Sequence, residues 1–198
     1  MIGKWLRDLG GLTVRVVWLM FPVVAAGATH VVVLKLDLLN RLAIPLDAGA
    51  SWRGKRIFGD NKTVRGSVLM PVMAACFTSL EAALASRRQA GGFDPRVEFA
   101  TTPWIAGFLV GLAYCLAELP NSFLKRRLDI PAGGHSARGS SVQYAVDQLD
   151  SVVGCLLALR AVYRPRRWEM PLACLLGSAI HVGIDLLLYQ LGVKTKRG

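Results

Sequence analysis

Apolar residues recur along the chain in five long blocks that are separated by polar stretches containing glycine. The blocks run near 14–34, 66–86, 104–121, 142–163 and 170–191. A helix needs about 20 apolar residues to cross a hydrocarbon layer of about 30 Å, and the blocks approach or exceed that length. The pattern therefore predicts an all-α integral membrane protein with about five transmembrane helices and two long polar loops. Because no internal repeat divides the chain, residues 1–198 are expected to form one domain.

The composition supports a membrane protein and excludes one class of soluble protein. The 198-residue chain is 53% hydrophobic but carries a formal net charge of +11. These values coexist when apolar residues form spans and basic residues occupy the loops. A nucleic-acid-binding protein would need a basic face on a soluble fold, and the apolar blocks leave too little chain to build one. The four cysteines lie inside apolar blocks without a CxxC pair, which favours packing over a disulfide framework.

The distribution of basic residues predicts the orientation of the chain in the membrane. The loops before the second and fourth blocks, together with the C-terminal tail, contain 14 of the 24 Lys and Arg residues. Short loops rich in Lys and Arg stay in the cytoplasm. We therefore expect the N-terminus to lie outside the cell and the two long polar loops to be cytoplasmic.

The loop before the second block has a composition suited to phosphate. Residues 54–66 contain three glycines, which allow close approach of the backbone to a ligand, interleaved with hydrogen-bond donors. The following helix would add its N-terminus, which favours an anion. A loop that only anchors the protein to anionic headgroups needs charge alone, so the ligand-binding interpretation is favoured. The candidate binding residues are Asp60, Asn61, Lys62, Thr63 and Arg65.

A second polar group begins near the end of the third block. Glu118 follows an apolar run, and placing a charged side chain at the centre of the bilayer costs about 2.5–3.5 kcal/mol, so it is expected to face the bundle interior or a wet cavity. Ser122, Lys125 and Arg126 share one helical face if the helix continues past Pro120. Snorkelling of basic residues at a span end explains Lys125 and Arg126 but leaves Glu118 unexplained.

The third polar group is a pair of acids at the start of the fourth block. Asp147 and Asp150 are three residues apart, so a helix places both carboxylates on one face, where they can share a divalent cation. Helix capping by the macrodipole is the simpler alternative. A pair of acids in a membrane span needs a cationic partner, which favours the metal interpretation.

Two other stretches leave alternatives open. The loop at 131–141 carries His135 and Arg138 among small residues, and it either folds over a nucleotide or serves as a linker. His181 and Asp185 share a face of the fifth block at positions i and i+4. They form either a proton relay or a satisfied pair inside the bundle, and the second interpretation is favoured.

Three of these stretches, in this order, resemble the CDP-archaeol synthase family, a small five-span relative of the phosphatidate cytidylyltransferases. They are Gly59-Asp60-Asn61-Lys62-Thr63-x-Arg65-Gly66, Leu119-Pro120-Asn121-Ser122-Phe123-x-Lys125-Arg126-Arg127-Leu128 and Asp147-Gln148-Leu149-Asp150-x-Val152-x-Gly154. The resemblance covers most of the chain after about residue 45. It implies a membrane-embedded cytidylyltransferase in which a lipid phosphate attacks the α-phosphate of CTP, giving a CDP-activated lipid and pyrophosphate.

The resemblance also implies roles for the candidate residues. Asp147 and Asp150 would hold Mg²⁺ on the triphosphate, with Glu118 supporting the metal shell, and Lys125 would act beside them in catalysis. Phosphates would be clamped by Lys62, Arg65, Lys125 and Arg126. The nucleotide would be oriented by Asp60, Asn61 and Ser122, with Thr63 in the same binding loop.

The sequence is also compatible with two other functions, and it leaves the lipid and the oligomeric state open. A small transporter would use Glu118, Asp147, Asp150 and Asp185 as an ion path through the membrane, and a scaffold would need only the basic surface. The lipid is open, because an archaeal ether lipid, a phosphatidate and a prenyl-type phosphate would meet the same basic loops. A homo-oligomer is also left open.

Overall fold

The computed structural model describes residues 2–87, 99, 101–132 and 140–190. Within them the chain forms five helices, one for each predicted block, which confirms the all-α membrane architecture. They are α1 (Ile2–Lys35), α2 (Val64–Arg87), α3 (Pro103–Arg127), α4 (Ser140–Val162) and α5 (Glu169–Gln190).

Three stretches of the described helices are long and apolar enough to cross a membrane. They are Gly10–Lys35, Val64–Ala85 and Pro103–Arg127. The fifth helix contains a shorter apolar stretch, Glu169–Ile184. That α4 and α5 also span the membrane stays a prediction, and the polar residues that shorten the apolar run of α4 include Asp147 and Asp150.

The helices pack in sequence order, and α5 returns to contact α1, so that the bundle closes into a ring. Small and apolar side chains fill the contacts. One core cluster joins α3 to the end of α4 and includes Val110 and Leu159. Another joins α1 to α2 through Ala26, Met70 and Ala74. A closed ring of helices can enclose a cavity at its centre.

Glycine lets α3 approach its neighbours on both sides. A Cβ added at Gly154 of α4 would lie 2.3 Å from the Cβ of Ala117 and 2.8 Å from the carbonyl oxygen of Ala113. A Cβ added at Gly111 would lie 2.7 Å from the Cα of Pro71 in α2. Separations this short exclude a side chain, so α3 packs backbone to backbone against α2 and α4.

The third helix continues past Pro120 to Arg127, beyond the predicted end at residue 121. Proline removes one backbone donor, but the helix persists on both sides of it. The extension places Glu118, Asn121 and Lys125 at positions i, i+3 and i+7, which share one face of a helix. This face carries polar groups from the apolar part of the bundle to the end of α3.

A short hairpin that the sequence did not predict lies between α1 and α2. Its strands are β1 (Ser51–Trp52) and β2 (Lys55–Arg56), paired antiparallel. The turn residues Arg53 and Gly54 have φ of 52° and 74°. Two successive positive φ values are typical of the type I′ turn that closes a two-residue hairpin.

The hairpin is attached to the end of α3. The Arg127 guanidinium donates to the carbonyl oxygens of Trp52 at 2.5 Å, Arg56 at 2.5 Å and Lys55 at 2.9 Å. The Trp52 ring stacks on Phe123 with centroids 5.6 Å apart. The hairpin therefore has a fixed position beside the last turns of α3.

A buried polar network closes the ring at the opposite end of the bundle. Arg15 of α1 donates to Glu169 Oε1 at 2.9 Å and to the Tyr163 hydroxyl at 2.8 Å. That hydroxyl donates to Glu169 Oε2 at 2.7 Å. Glu169 is 1% exposed, so its charge is compensated within the protein. The network connects α1 to the end of α4 and the start of α5.

The close contact at Gly154 predicts a stability difference between two glycine substitutions. Gly154→Ala forces a methyl group into the α3–α4 contact, and overpacking of this kind costs about 1–3 kcal/mol. Gly183→Ala on α5 is the matched control, because nothing lies within 4 Å of the added Cβ. Thermal unfolding in detergent should show a melting temperature several degrees lower for Gly154→Ala, by about 2–8 °C, and not for Gly183→Ala. Equal melting temperatures would contradict the packing described above.

Candidate active site

Two carboxylates of α4 are held by one face of α3. The Asn121 amide donates to Asp147 Oδ1 at 2.6 Å and to Asp150 Oδ2 at 2.8 Å. Lys125 Nζ donates to Asp147 Oδ2 at 2.5 Å, and the Ser151 backbone N–H donates to Asp150 Oδ1 at 2.6 Å. The two carboxylates therefore lie together, as their spacing predicts, and one amide bridges them.

A second ion pair joins this group from the loop before α2. Lys62 forms a salt bridge with Glu118, and the two side chains are 19% and 20% exposed. Both residues lie within electrostatic range of Asp150. Glu118 also lines the internal cavity of the bundle, as expected for a carboxylate in a membrane helix. We call Lys62, Glu118, Asn121, Lys125, Asp147 and Asp150 the acid cluster.

The turn at residues 59–61 lies over Arg126. Gly59 has a φ of 97°, and a Cβ added to it would lie 3.4 Å from Arg126 Nη1. Arg126 is 9% exposed, and its Nε has no hydrogen-bond partner within the described residues. Asp60 and Asn61 are exposed at the outer edge of this turn, where Asp60 pairs with Arg56 at 2.8 Å. A glycine backbone beside a guanidinium suits an anion. We call residues 59–61 the binding turn, after the role that the sequence predicts for it.

The turn is held in shape by Asp47, a residue that the sequence analysis missed. Its carboxylate accepts the Arg56 guanidinium at 2.6 Å and the backbone N–H groups of Phe58 at 2.9 Å, Gly59 at 3.0 Å and Gly49 at 3.1 Å. Its side chain is 0% exposed. Hydrogen bonding to Arg56, with a contribution from the backbone donors, holds the pKa of Asp47 well below its usual range despite burial.

Three predicted binding residues either form hydrogen bonds within the protein or are buried in it. The Thr63 hydroxyl accepts the Gly66 N–H at 3.4 Å at the start of α2. Arg65 donates to the Leu38 carbonyl at 2.9 Å and to Asn40 Oδ1 at 3.1 Å, which fastens the chain after α1 to α2. Ser122 is buried in α3. These positions lie next to the binding turn and the acid cluster in sequence, and their ligand roles stay predictions.

His181 forms a hydrogen-bond network behind the acid pair. Its Nδ1 lies 2.7 Å from Gln148 Oε1, and its Nε2 lies 3.2 Å from the Tyr114 hydroxyl and 3.5 Å from the Ser151 hydroxyl. Gln148 and Ser151 each follow one acid of the pair in sequence. The network supports the interpretation of His181 as a satisfied group in the bundle. The side chain of Asp185 and the residues His135 and Arg138 lie outside the described part of the chain.

A cavity of about 330 Å³ lies at the centre of the helix ring. Most of its lining is apolar and comes from all five helices. Polar residues line it as well, namely His30, Thr78, Tyr114, Glu118 and His181. Since Glu118 belongs both to the cavity and to the acid cluster, the apolar space adjoins the charged site.

The family model of CarS-like proteins, described as CDP-archaeol synthase, matches residues 9–197. The chain belongs to the CDP-archaeol synthase family. A curated CDP-archaeol synthase from Methanospirillum hungatei JF-1 is 33% identical over 159 residues, which cover 76% of this chain and 87% of the relative. One from Halobacterium salinarum is 31% identical over 194 residues, which cover 94% and 97%.

A solved structure has the same fold. It is an intramembrane enzyme for archaeal membrane lipid biosynthesis, superimposes with a TM-score of 0.58 and is 23% identical. The match covers 86% of this chain and 92% of the other. The five-helix ring of this CDP-archaeol synthase family member is therefore an arrangement also seen in an experimental structure.

Asn121 of this CDP-archaeol synthase family member is a second candidate, after Asp47, that the sequence did not indicate. The predicted face of α3 combined Ser122, Lys125 and Arg126, whereas the face toward the acids combines Glu118, Asn121 and Lys125. The spacing i, i+3 and i+7 could have indicated that face, because these three residues lie on one side of a helix that continues past Pro120. The structure thus divides Lys125, on the acid pair, from Arg126, beneath the binding turn.

The acid pair offers part of the donor set that a divalent cation needs. Among the described residues, no group of three His, Cys, Asp or Glu side chains converges as a metal site. Magnesium, however, usually binds through one or two carboxylates and completes its shell with water and substrate phosphates. Asp147 and Asp150, which share one amide donor, offer that incomplete donor set. The residues fit Mg²⁺ that arrives with a phosphate chain.

The bonds to Asp47 predict protection of the binding turn from proteolysis. Its low folded-state pKa means that the charged form stabilises the turn fully above the unfolded pKa of about 3.9, and that this contribution is lost as the pH falls through the lower folded value. At pH 7, Asp47→Asn should therefore speed tryptic cleavage at Lys55 and Arg56 by about tenfold, the equivalent of about 1.4 kcal/mol.

Asp60→Asn provides the comparison, because Asp60 is 76% exposed and forms a single ion pair with the same arginine. The Asp60→Asn variant should be cleaved at the rate of the unsubstituted protein within about twofold, because an exposed ion pair contributes little to stability. Equal rates for both variants would show that Asp47 does not hold the turn.

Proposed function

We propose that the chain is a CTP-dependent cytidylyltransferase that converts a lipid phosphate to a CDP-activated lipid and pyrophosphate. The observation that carries this proposal is the acid cluster, in which Asn121 bridges Asp147 and Asp150 at the edge of an apolar cavity. The relatives named CDP-archaeol synthase support it. Nothing in the comparisons favours a transporter.

The acid pair would hold Mg²⁺ on the triphosphate of CTP. Bound there, the cation would neutralise charge on the phosphates as the transition state forms. Asp147 and Asp150 would provide its protein ligands, and Glu118 would support them from the same cluster. In the present structure Lys125 and Lys62 neutralise Asp147 and Glu118. If these carboxylates held a cation instead, the Lys62 and Lys125 ammonium groups would be available for phosphate oxygens.

The binding turn would receive the remainder of the nucleotide. Arg126 lies beneath Gly59, and its Nε has no hydrogen-bond partner in the described part of the chain. An arginine fork matches phosphate oxygens closely. The exposed Asp60 and Asn61 would orient the nucleoside from the outer edge. Asp47 would keep this turn in its binding shape before the nucleotide arrives, which lowers the entropic cost of binding.

The lipid would reach the site from the apolar cavity. Its hydrocarbon would occupy the space between the helices, and its phosphate would lie at the Glu118 end, next to Lys62. A phosphate oxygen of the lipid then attacks the α-phosphorus of CTP. The bond from the α-phosphorus to the oxygen that bridges it to the β-phosphate breaks, and pyrophosphate leaves. For this transfer the protein needs mainly to position the two phosphates and to compensate their charge.

The arrangement of the loops supports a proposed orientation in the membrane. The chain segment before α2, the end of α3 and the start of α4 meet at one end of the bundle, where Lys62, Lys125 and Asp147 come together. This is the end that the distribution of basic residues assigns to the cytoplasm. We propose that the nucleotide binds there and that the N-terminus lies on the opposite side.

A labelled-nucleotide assay tests the proposed function. Purified protein is mixed with Mg²⁺, CTP labelled at the α-phosphate, and either an archaeol-type or a phosphatidate-type lipid phosphate. The label should pass into the lipid phase with release of one pyrophosphate for each lipid labelled. Asp147→Asn and Asp150→Asn should each lower kcat by about 10²–10³, because each removes charge that the transition state requires.

Asp129→Asn is the control for the loss of a carboxylate. Asp129 lies just past α3, is 76% exposed and pairs with Lys55 on the hairpin. The activity of the Asp129→Asn variant should stay within about twofold of the parent, since exposed ion pairs contribute little to stability. Transfer that persists in both acid-pair variants would overturn the catalytic assignment, and label that never enters any lipid would overturn the function.

A further inference from the structure

His30 is a partly buried polar residue that the proposed mechanism does not use. It lies on α1, and its side chain lines the cavity. Its Nε2 is buried and has no hydrogen-bond partner within the described residues. A buried donor or acceptor without a partner is unfavourable, and a native protein tolerates it mainly where a ligand or water satisfies it.

The position of His30 is the boundary between the apolar cavity and the charged site. On the apolar side, Gly27, Val31 and Leu34 of the same helix also line the cavity. On the polar side, the ring lies within electrostatic range of Lys62, Arg65 and Glu118. The ring also packs against the first turn of α2, since a Cβ added at Gly66 would lie 3.3 Å from Nε2.

A phosphorylated lipid in this cavity would place different atoms on the two sides of His30. Its hydrocarbon belongs among the apolar lining residues, and its phosphate belongs next to Lys62. Between them lie the uncharged oxygens that join the chains to glycerol. Such ether or ester oxygens can only accept hydrogen bonds, whereas an imidazole N–H can donate one.

We propose that His30 Nε2 donates a hydrogen bond to a glyceryl oxygen of the lipid substrate and so favours diradylglycerol phosphates over phosphorylated lipids that lack glycerol. This inference rests on the proposed function and assigns to it a residue that positions the lipid. His30 acts in binding, away from the reacting phosphorus. The contact would also fix the depth of the lipid, because it joins one point of the lipid to one point of α1.

The first test compares two substrates in His30→Leu, with the labelled-CTP assay as the readout. One substrate is a dialkylglycerol phosphate, and the other is a long-chain alkyl phosphate without glycerol. The KM for the glycerol substrate should rise about three- to tenfold, the effect of losing one neutral hydrogen bond. The KM for the alkyl phosphate and the KM for CTP should not change. His30→Gln, which keeps a side-chain N–H donor, should restore part of the loss.

Thr29→Ala is the matched control on α1. The Thr29 hydroxyl donates to the carbonyl of Ala25 within the helix, so the variant removes a neighbouring polar group without touching the cavity. Both KM values should stay at the parental level. An unchanged glycerol-lipid KM in His30→Leu, or an equal rise for both lipids, overturns the assignment. A parent protein that labels neither lipid contradicts the proposed function instead.

A measurement on the unsubstituted protein covers the case in which His30→Leu does not fold. The chain has three histidines, so ¹⁵N labelling of histidine gives few side-chain signals. Addition of dialkylglycerol phosphate in detergent should shift the Nε2 resonance of His30, and the glycerol-free alkyl phosphate should shift it less. Equal shifts with the two lipids, or no shift with either, would overturn the inference.

Discussion

The bond between the polar face of α3 and the two acids of α4 determines how the rest of the structure is arranged. A pair of carboxylates in an apolar bundle is unstable unless other groups compensate the charge. Asn121 and Lys125 do so within 2.8 Å. This requires α3 and α4 to touch closely, which Gly154 permits. The close packing of small residues in the apolar part of the bundle therefore allows the bonds between α3 and the two acids at its end.

Charge compensation also explains the loop before α2. Asp47 gathers Arg56 and three backbone donors, and Arg127 fastens the hairpin to α3 through three carbonyl oxygens. Both residues act within the protein and leave the binding turn in place above Arg126. The turn at residues 59–61 and the end of α3 that carries Arg126 therefore keep their relative positions without a ligand.

The sequence was sufficient for those features that depend on local spacing. Block length predicted five helices, and the interval between Asp147 and Asp150 predicted one acid face. Features that depend on contacts between distant segments could not be predicted in this way. Asp47 acts on Arg56, Phe58 and Gly59 only after the loop has folded. Pro120 predicted a helix end by its usual effect, but α3 continues to Arg127, and Asn121 therefore lies on the face toward the acid pair.

The arrangement of the metal on the acid pair is the central claim, and it can be observed directly. A crystal structure of the protein with CTP and Mn²⁺ in place of Mg²⁺ would locate the metal by its anomalous signal. We expect a peak about 2.1 Å from carboxylate oxygens of Asp147 and Asp150 that also contacts phosphate oxygens of CTP. A metal bound to the triphosphate away from both aspartates, with Asn121 still bridging them, would contradict it.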